Sequence, residues 1–275
     1  MILDTWEMRR DVYIRACDNL GLQIEDLDEE GHLSKIIKGT QSFTTAFSTW
    51  PPLNTYSAYV IAKDKIFTKI ILEKYGIVTP RGEYVFVSGK GDWKPKHHKI
   101  RDVQAVAERL GYPLFVKPHD RSRGSAARIA HSQSELDEAL QDVVAWSHAA
   151  LLEEVQKGRE GRLMCIDGEP VFLYYRKPNP ITHIGNLAAG GSITDIVTTN
   201  IPNHISDVGR KVFRAFEGGL RLYAVDFFEG DDGNIVVLEV NARPHISGIY
   251  EYGSPEMASA VMEHALQAYF KNAAL

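Results

Sequence analysis

The hydrophobic positions of this chain follow two different spacings along its length, which predicts a mixture of helices and strands. Apolar residues at helical spacing predict helices at residues 4–19, 57–76, 101–110, 133–145 and 205–217, and a closing helix from about residue 255. Short apolar or alternating runs between turn residues predict strands. They are LQIEDLD, HLSKIIKG, GEYVFVS, PLFVK, ARIA, ALLEEV, RLMCIDG, PVFLYYRK, YAVDFFEG and NIVVLEVNA. This order predicts an α+β fold whose later strands pair antiparallel.

Composition narrows the classes of protein that this pattern allows. The chain has 275 residues and is 44% hydrophobic, which is enough for a packed core in two or three lobes. Its 31 lysines and arginines against 36 aspartates and glutamates give a net charge of −5. This balance argues against a general nucleic-acid binder.

The distribution of apolar and cysteine residues bears on the compartment. The first residues, MILDTWEMRRDVY, lack the apolar core of a signal peptide. Nor does any run approach the roughly 20 apolar residues that a membrane span needs. The two cysteines, Cys17 and Cys165, lie far apart without metal-ligand spacing, which fits a reducing compartment. We therefore expect a cytoplasmic protein without membrane or nucleic-acid partners.

The last predicted hairpin carries polar residues that interrupt apolar strands. Glu239 and Asn241 are two residues apart on one strand and therefore share a face. If Gly230 pairs with Ile235 across the turn, Asp226 lies opposite Glu239 on that same face. Two carboxylates and an amide oxygen would then form a site suited to magnesium. The alternative is a polar strand end that caps a turn, and a slip of one residue would place Asp226 on the other face.

A second group of polar residues surrounds the predicted strands of the middle of the chain. Lys117 ends an apolar strand, and the loop RSRGS (121–125) that follows offers backbone N–H groups, hydroxyls and two arginines to phosphate oxygens. Lys65 opens a predicted helix, and Glu153 and Glu160 flank the end of another strand. Taken singly, each of these residues is equally explained as surface charge.

Taken in order, these segments resemble the ATP-grasp superfamily of carboxylate–amine ligases. The matching segments are IAKDKIFTKIILEKYGIVTP, YPLFVKP, RSRGSA, LLEEVQKGRE, YYRK, NLAAGG, YAVDFF and LEVNARP, and they cover roughly residues 55–270. The first is most similar to cyanophycin synthetases and bacterial glutathione synthetases, and NLAAGG to RimK-type ligases. EVNAR resembles L-amino-acid ligases, and ARPHISG resembles purine-biosynthesis enzymes. Any one segment is a weak signal, but eight in the correct order are not expected by chance.

The resemblance implies a fold and a division of the chain. An ATP-grasp fold has two α+β lobes that clasp ATP. Here a short N-terminal lobe would occupy residues 1–54, the first ATP-grasp lobe residues 55–150, and the lobe with the metal site residues 151–275. The lobe that precedes the ATP-binding part is shorter than in many relatives. The acceptor site would then be completed by a second subunit, which would make a homodimer, by a large partner substrate, or by nothing, and these alternatives stay open.

The resemblance also implies roles for residues at matching positions. Those implied to hold the ATP phosphates are Lys65, Lys117, Ser122, Arg123, Gly124 and Ser125. Those implied to contact adenine and ribose are Glu153, Glu154, Val155 and Glu160. Those implied to bind two magnesium ions, or manganese, are Asp226, Glu239 and Asn241. Those implied to contact the γ-phosphate, the acyl phosphate or the carboxylate are Arg176, Asn186 and Arg243.

The implied activity is ATP-dependent formation of an amide bond on an amino acid or small peptide, through an acyl phosphate, with release of ADP and phosphate. A mobile lid formed by residues 121–125 and by Gly190 and Gly191 would protect the acyl phosphate from water. His245 would either contact substrate or cap the following helix. Two alternatives stay open: a carboxylase or formyltransferase that acts on a ribonucleotide amine, and an ATP-binding subunit without turnover.

Overall fold

The computed structural model describes residues 6–47, 49–87, 102–121, 126–177 and 191–272. The helices in these parts are α1 (Trp6–Leu20), α2 (Tyr56–Lys63), α3 (Lys65–Lys74), α4 (Val103–Leu110), α5 (Gln133–Val144), α6 (Asn203–Ala215), α7 (Ser247–Tyr252) and α8 (Pro255–Asn272). Within these described parts, no helix combines the length and apolarity needed to cross a membrane.

The strands form three sheets in which every observed pairing is antiparallel. The strands are β1 (Gln23–Asp26), β2 (Leu33–Lys38), β3 (Gln41–Ala46), β4 (Gly82–Phe86), β5 (Leu114–Pro118), β6 (Arg128–Ala130), β7 (Ala149–Glu154), β8 (Arg159–Ile166), β9 (Glu169–Lys177), β10 (Ser192–Val197), β11 (Leu222–Glu229) and β12 (Ile235–Asn241). Their orders are β1-β2-β3, β4-β7-β5-β6 and β10-β9-β8-β11-β12. The α+β class and the antiparallel later strands are thus confirmed.

The observed elements differ from the predicted ones at a few places. The single helix predicted over residues 57–76 is wrong, because the chain breaks it at Asp64. The Asp64 carboxylate accepts the backbone N–H groups of Ile66 and Phe67 at 2.8 and 3.1 Å and so starts α3 as a separate helix. Strands β3 and β10 and the short helix α7 were not predicted, since threonine, serine and glycine dilute their apolar patterns.

The five-stranded sheet is buried on both faces, with different helices on each. On β8, Met164 and Ile166 face a core that α1, α7 and α8 complete. Leu163 and Cys165 face the opposite side, where α2, α3 and α6 pack. A sheet covered on both sides reads as a continuous apolar run, which is why the alternation of these strands is not visible in the sequence.

The N-terminal region is tied directly to the five-stranded sheet. The side chain of Asn54 accepts the N–H groups of Arg221 and Leu222 at 2.8 Å each, and it donates to the carbonyls of Leu222 and Ala242 at 2.7 and 3.0 Å. Trp50 Nε1 donates to the carbonyl of Pro244 at 2.9 Å in a buried contact. These contacts hold the segment after β12 in place from a distant part of the sequence. The division into lobes at residues 54 and 150 stays a prediction.

The three-stranded sheet is joined to α1 by a polar contact whose strength depends on pH. Arg10 donates to both oxygens of Asp26 at 3.0 and 2.8 Å, and Ser34 donates to Oδ1 at 2.6 Å. The hydrogen bond from Arg10, followed by that from Ser34, lowers the pKa of Asp26 below its ordinary value. The folded state therefore favours the ionised carboxylate, and this stabilisation is lost as the pH falls through the folded-state pKa.

We predict that Asp26→Asn lowers the free energy of unfolding by about 1 kcal/mol at pH 7, because the pair is partly exposed and screened by solvent. The difference between the original chain and the variant should shrink below about pH 4, where the unfolded carboxylate takes up its proton. Urea unfolding at pH 7 and pH 3.5 measures it. A difference that stays constant between these pH values contradicts the assignment.

Candidate functional site

A row of charged residues crosses the middle of the five-stranded sheet. Asp226 on β11 lies directly opposite Glu239 on β12, as the sequence predicted, and opposite Arg162 on β8. Glu160, two residues before Arg162 on the same face, lies opposite Arg176 on β9. Four neighbouring strands therefore bring three carboxylates and two guanidinium groups together.

The predicted pairing of Gly230 with Ile235 is wrong by one residue, since Glu229 pairs with Ile235. A β-bulge at Leu238 adds one residue to β12 and restores the predicted opposition of the two carboxylates. Bulges often occur next to functional sites, where they redirect a side chain. Here the bulge also places the carbonyl of Leu238 toward the neighbouring four-stranded sheet.

The carboxylate of Asp226 is held by two arginines. Arg162 Nε and Nη2 donate to Oδ1 and Oδ2 at 2.6 Å each, and Arg176 Nη2 lies 2.9 Å from Oδ1. Burial opposes ionisation of Asp226, but the two guanidinium groups outweigh it and hold its pKa below the ordinary range. Burial also opposes ionisation of Arg162 by lowering its pKa, but the facing carboxylate of Asp226 outweighs this and raises the pKa of Arg162 well above its ordinary value. The pair therefore stays ionised across the physiological range.

Arg176 occupies the space between two carboxylates. Its side chain is 4% exposed, and Nη2 lies 2.9 Å from both Glu160 Oε1 and Asp226 Oδ1. Burial raises the pKa of Glu160, Arg176 lowers it, and Asp226 raises it further. In the described parts of the chain, Nε and Nη2 of Arg176 find no acceptor in hydrogen-bonding direction. A buried guanidinium with donors left over suits an anion such as a phosphate oxygen.

Lysines on α3 and at the end of β5 lie next to this row of charges. Lys117, at the end of β5, lies 2.7 Å from Glu153 Oε2 and donates to the carbonyl of Leu238 at 3.4 Å. Lys69 on α3 lies 3.5 Å from the other oxygen of Glu153. Lys65 lies 3.6 Å from Glu239 and also donates to the backbone carbonyl of Arg121. Three ammonium groups thus line the gap between the two sheets.

A hydrogen-bonded pair of side chains positions Lys65. Asp64 caps α3 and lies 2.9 Å from the His119 ring nitrogen Nδ1, while the Lys65 N–H donates to the carbonyl of His119 at 2.8 Å. Burial raises the pKa of Asp64, but the His119 hydrogen bond and the helix N–H groups outweigh it and lower that pKa. The start of α3 and the end of β5 are therefore joined. The backbone positions of Lys65 and Lys117 are thus fixed relative to each other.

The segment after β12 carries the last predicted residues. Asn241 Oδ1 accepts the backbone N–H of Arg243 at 2.9 Å, which turns the chain, and Arg243 itself is exposed. Trp50 Nε1 donates a hydrogen bond to the carbonyl of Pro244 in the same segment. The amide oxygen of Asn241 thus shapes the turn on the same face as Glu239.

The structure brings many of the predicted residues together and leaves others apart. Those that converge are Lys65, Lys117, Glu153, Glu160, Arg176, Asp226, Glu239 and Asn241. Glu153 is only 3% exposed and pairs with lysines, whereas Glu154 pairs with Arg81 at the surface. Predicted residues that lie outside the described residues are Ser122, Arg123, Gly124, Ser125, Asn186 and Gly190. The roles of all these residues stay predictions.

Two members of the cluster were missed from the sequence. Arg162 is two residues after Glu160 on a strand, a spacing that places both on one face. Lys69 is four residues after Lys65 on a helix, which likewise places both on one side. These spacings are the signals that would have found them.

The three predicted metal ligands do not fit a two-ion centre in this arrangement. Each carboxylate oxygen has two lone pairs. Arg162 and Arg176 both contact Asp226 Oδ1, and Arg162 takes one of the two lone pairs of Oδ2. Within the described residues, no group of three or more histidine, cysteine, aspartate or glutamate side chains is arranged to hold a metal. Asp226 therefore keeps one lone pair beside two guanidinium groups, and a hard cation would rely mainly on Glu239 and on the remaining lone pair of Asn241 Oδ1.

We predict that Lys117→Met lowers the free energy of unfolding by about 2 kcal/mol, because Glu153 then keeps only Lys69 as a partner. Adding Glu153→Gln should recover part of this loss, since the unpaired buried charge is removed. Denaturant unfolding of the single and double variants measures the coupling. Strictly additive losses contradict a direct Lys117–Glu153 pair.

This chain resembles known proteins both in sequence and in structure. The family described as D-ala D-ala ligase C-terminus matches residues 71–262. A D-alanine–D-alanine ligase from Acetivibrio thermocellus is 26% identical over an alignment of 245 positions, and the match covers 78% of this chain and 60% of that relative. This chain covers 62% and 55% of two further D-alanine–D-alanine ligases. It therefore spans about three fifths of the length of these curated relatives.

Two solved structures resemble this chain in fold. A D-alanine–D-alanine ligase from Bacillus anthracis complexed with ATP superposes with a TM-score of 0.55 at 21% identity, over 79% of this chain and 68% of that one. A bifunctional glutathione synthetase from Pasteurella multocida gives a TM-score of 0.61 at 15% identity, over 96% of this chain and 43% of that one. At such identities the likenesses show the fold alone, and they confirm the ATP-grasp fold that the sequence predicted.

Proposed function

Because the chain belongs to the family described as D-ala D-ala ligase C-terminus, we propose that it is an ATP-dependent carboxylate–amine ligase. Its substrates are the carboxylate of an amino acid or small peptide and an amine. The observation that carries this proposal is that two lysines reach neighbouring residues of β12, one at a carboxylate and one at a backbone carbonyl. Lys65 lies 3.6 Å from Glu239, and Lys117 donates to the neighbouring carbonyl of Leu238.

The proposed chemistry uses the charges of this cluster. A carboxylate oxygen of the substrate attacks the γ-phosphorus of ATP, ADP leaves, and an acyl phosphate forms. The amine nitrogen then attacks the acyl carbon, loses a proton, and phosphate leaves. Since two anions must approach each other in the first step, positive charge fixed in advance is the main contribution of the protein. Lys65, Lys117 and Arg176 supply that charge.

The same proposal assigns the nucleotide and its cation. ATP lies in the gap between the four-stranded and five-stranded sheets, with its phosphates toward Lys65 and Lys117. Mg²⁺ accompanies the triphosphate, and Glu239 and Asn241 offer the carboxylate and amide oxygens that suit it. Glu160 and Arg243 belong to the same site. The homodimer stays a prediction, which sedimentation of the purified chain measures.

The activity is tested with ATP, Mg²⁺ and a panel of amino acids and dipeptides offered in pairs, with D-alanine included. We expect release of ADP and phosphate that depends on both members of a pair, and a product whose mass equals their sum less water. If no pair raises ADP above the rate seen with ATP alone, the ligase proposal is wrong.

We predict that Glu239→Gln abolishes turnover, with a loss of about 100-fold or more, because it removes one negative charge from the nucleotide site at nearly constant volume. Its melting temperature should stay close to that of the original chain, since the side chain is half-exposed. Glu169→Gln is the matched control, because Glu169 is an exposed glutamate on β9 that pairs with Arg210. Full activity of Glu239→Gln contradicts its place in the site.

A further inference from the structure

We propose that the guanidinium of Arg162 is a built-in cation at Asp226, so that the nucleotide site takes one divalent cation instead of two. This inference rests on the proposed function, since it concerns the site at which the nucleotide would bind. The single cation would be held by Glu239 and Asn241. Arg162 would do at Asp226 what a second ion does in a two-ion site, which is to neutralise a buried carboxylate and present positive charge to phosphate.

The first observation is the geometry of the Arg162–Asp226 contact. The two guanidinium nitrogens lie 2.6 Å from the two carboxylate oxygens, which is a bidentate pair with one donor on each oxygen. The side chains are only 11% and 5% exposed. Arg176 Nη2 adds a further contact at 2.9 Å to Oδ1. A metal ion at Asp226 would therefore find a single lone pair, on Oδ2, and would have to lie beside two guanidinium groups.

The second observation is that the sheet itself fixes the position of Arg162. Arg162 and Asp226 are register partners on adjacent strands, so their approach is set by the backbone pairing of β8 and β11. Gly161 lies on the opposite face, where a Cβ atom would come within 2.4 Å of the Phe227 ring. The ring is thus pressed onto the backbone of β8. Arg162 is therefore unlike a surface arginine that changes rotamer freely.

The third observation concerns the charge that a second ion would meet. Next to Asp226 it would face the guanidinium groups of both Arg162 and Arg176, and like charges repel strongly where water is excluded. Glu239 lies on the open side of the row, with its side chain 35% exposed and Lys65 3.6 Å away. Together with Asn241 it leaves oxygens for one cation shared with the triphosphate.

The count of bound cations tests this inference without turnover. The chain of 275 residues is mixed with a non-hydrolysable ATP analogue and titrated with Mn²⁺, and free Mn²⁺ is followed by electron paramagnetic resonance. We expect about one bound Mn²⁺ per bound nucleotide. Arg162→Met removes the charge at similar volume and should raise the count to about two. Arg162→Lys keeps the charge and should leave it at about one.

Arg159→Met is the matched control, because it removes a positive charge from the same strand at an exposed position that pairs with Asp195. It should leave the count at about one. Circular dichroism establishes that each variant is folded, and the count on the original chain tests the inference even if Arg162→Met does not fold. Two tight Mn²⁺ ions per nucleotide on the original chain overturn the inference, as does an unchanged count in a folded Arg162→Met.

Failure of the proposed function has a different signature. If the original chain binds neither the ATP analogue nor nucleotide-dependent Mn²⁺, the nucleotide site itself is wrong and the inference falls with it. If the analogue binds together with two Mn²⁺ ions, the nucleotide site stands and only the role of Arg162 is wrong. Equilibrium dialysis of the labelled analogue separates these two results.

Discussion

The burial of the Asp226 carboxylate is the constraint on which the rest of the site depends. Asp226 is 4% exposed, and an unpaired carboxylate at such a position costs several kcal/mol, on the order of 3–5. Arg162 and Arg176 compensate it from β8 and β9, and this requires one register of three strands, β9, β8 and β11. A slip of one residue would turn the partners to opposite faces. The same strand register therefore stabilises the sheet and positions the side chains of the site.

A second group of paired charges joins α3 to the four-stranded sheet. Lys69 and Lys117 would repel each other, but Glu153 lies between them and contacts both, at 3.5 and 2.7 Å. The His119–Asp64 contact fixes the start of the helix that carries Lys65 and Lys69. The ammonium groups are thus positioned by buried partners on neighbouring elements, and preorganised charge of this kind does not have to be rearranged when an anion arrives.

The sequence predicted most of the elements, because they follow from apolar periodicity. It also predicted the opposition of Asp226 and Glu239, but from a pairing of Gly230 with Ile235 that is wrong by one residue and that the bulge at Leu238 compensates. It did not predict the bulge at Leu238, because one apolar residue more or less in a buried run leaves no compositional trace. Arg162 was missed for a similar reason: an isolated arginine near a strand start has the appearance of an exposed residue. Its burial depends on a partner 64 positions away. The break at Asp64 was missed because a helix continues on both sides of it.

Long-range contacts of the backbone are a further class that the sequence does not encode residue by residue. Asn54 and Trp50 hold carbonyls and N–H groups near β11 and β12, so the N-terminal region shapes a turn almost two hundred positions later. Asn54 and Trp50 are visible in the sequence, but they bind backbone N–H and C=O groups, which nearly every residue has. The sequence therefore does not show which backbone groups they bind, and the fold does.

The bulged residue has a consequence for how this site can vary among related proteins. Lys117 contacts Leu238 through its backbone oxygen, and any amino acid at position 238 would present the same atom. Substitutions there can accumulate without disturbing the approach of the two sheets, whereas loss or gain of a single residue in β12 would abolish it. The distance between the four-stranded and five-stranded sheets at this point therefore depends on the number of residues in β12 and not on the identity of its side chains.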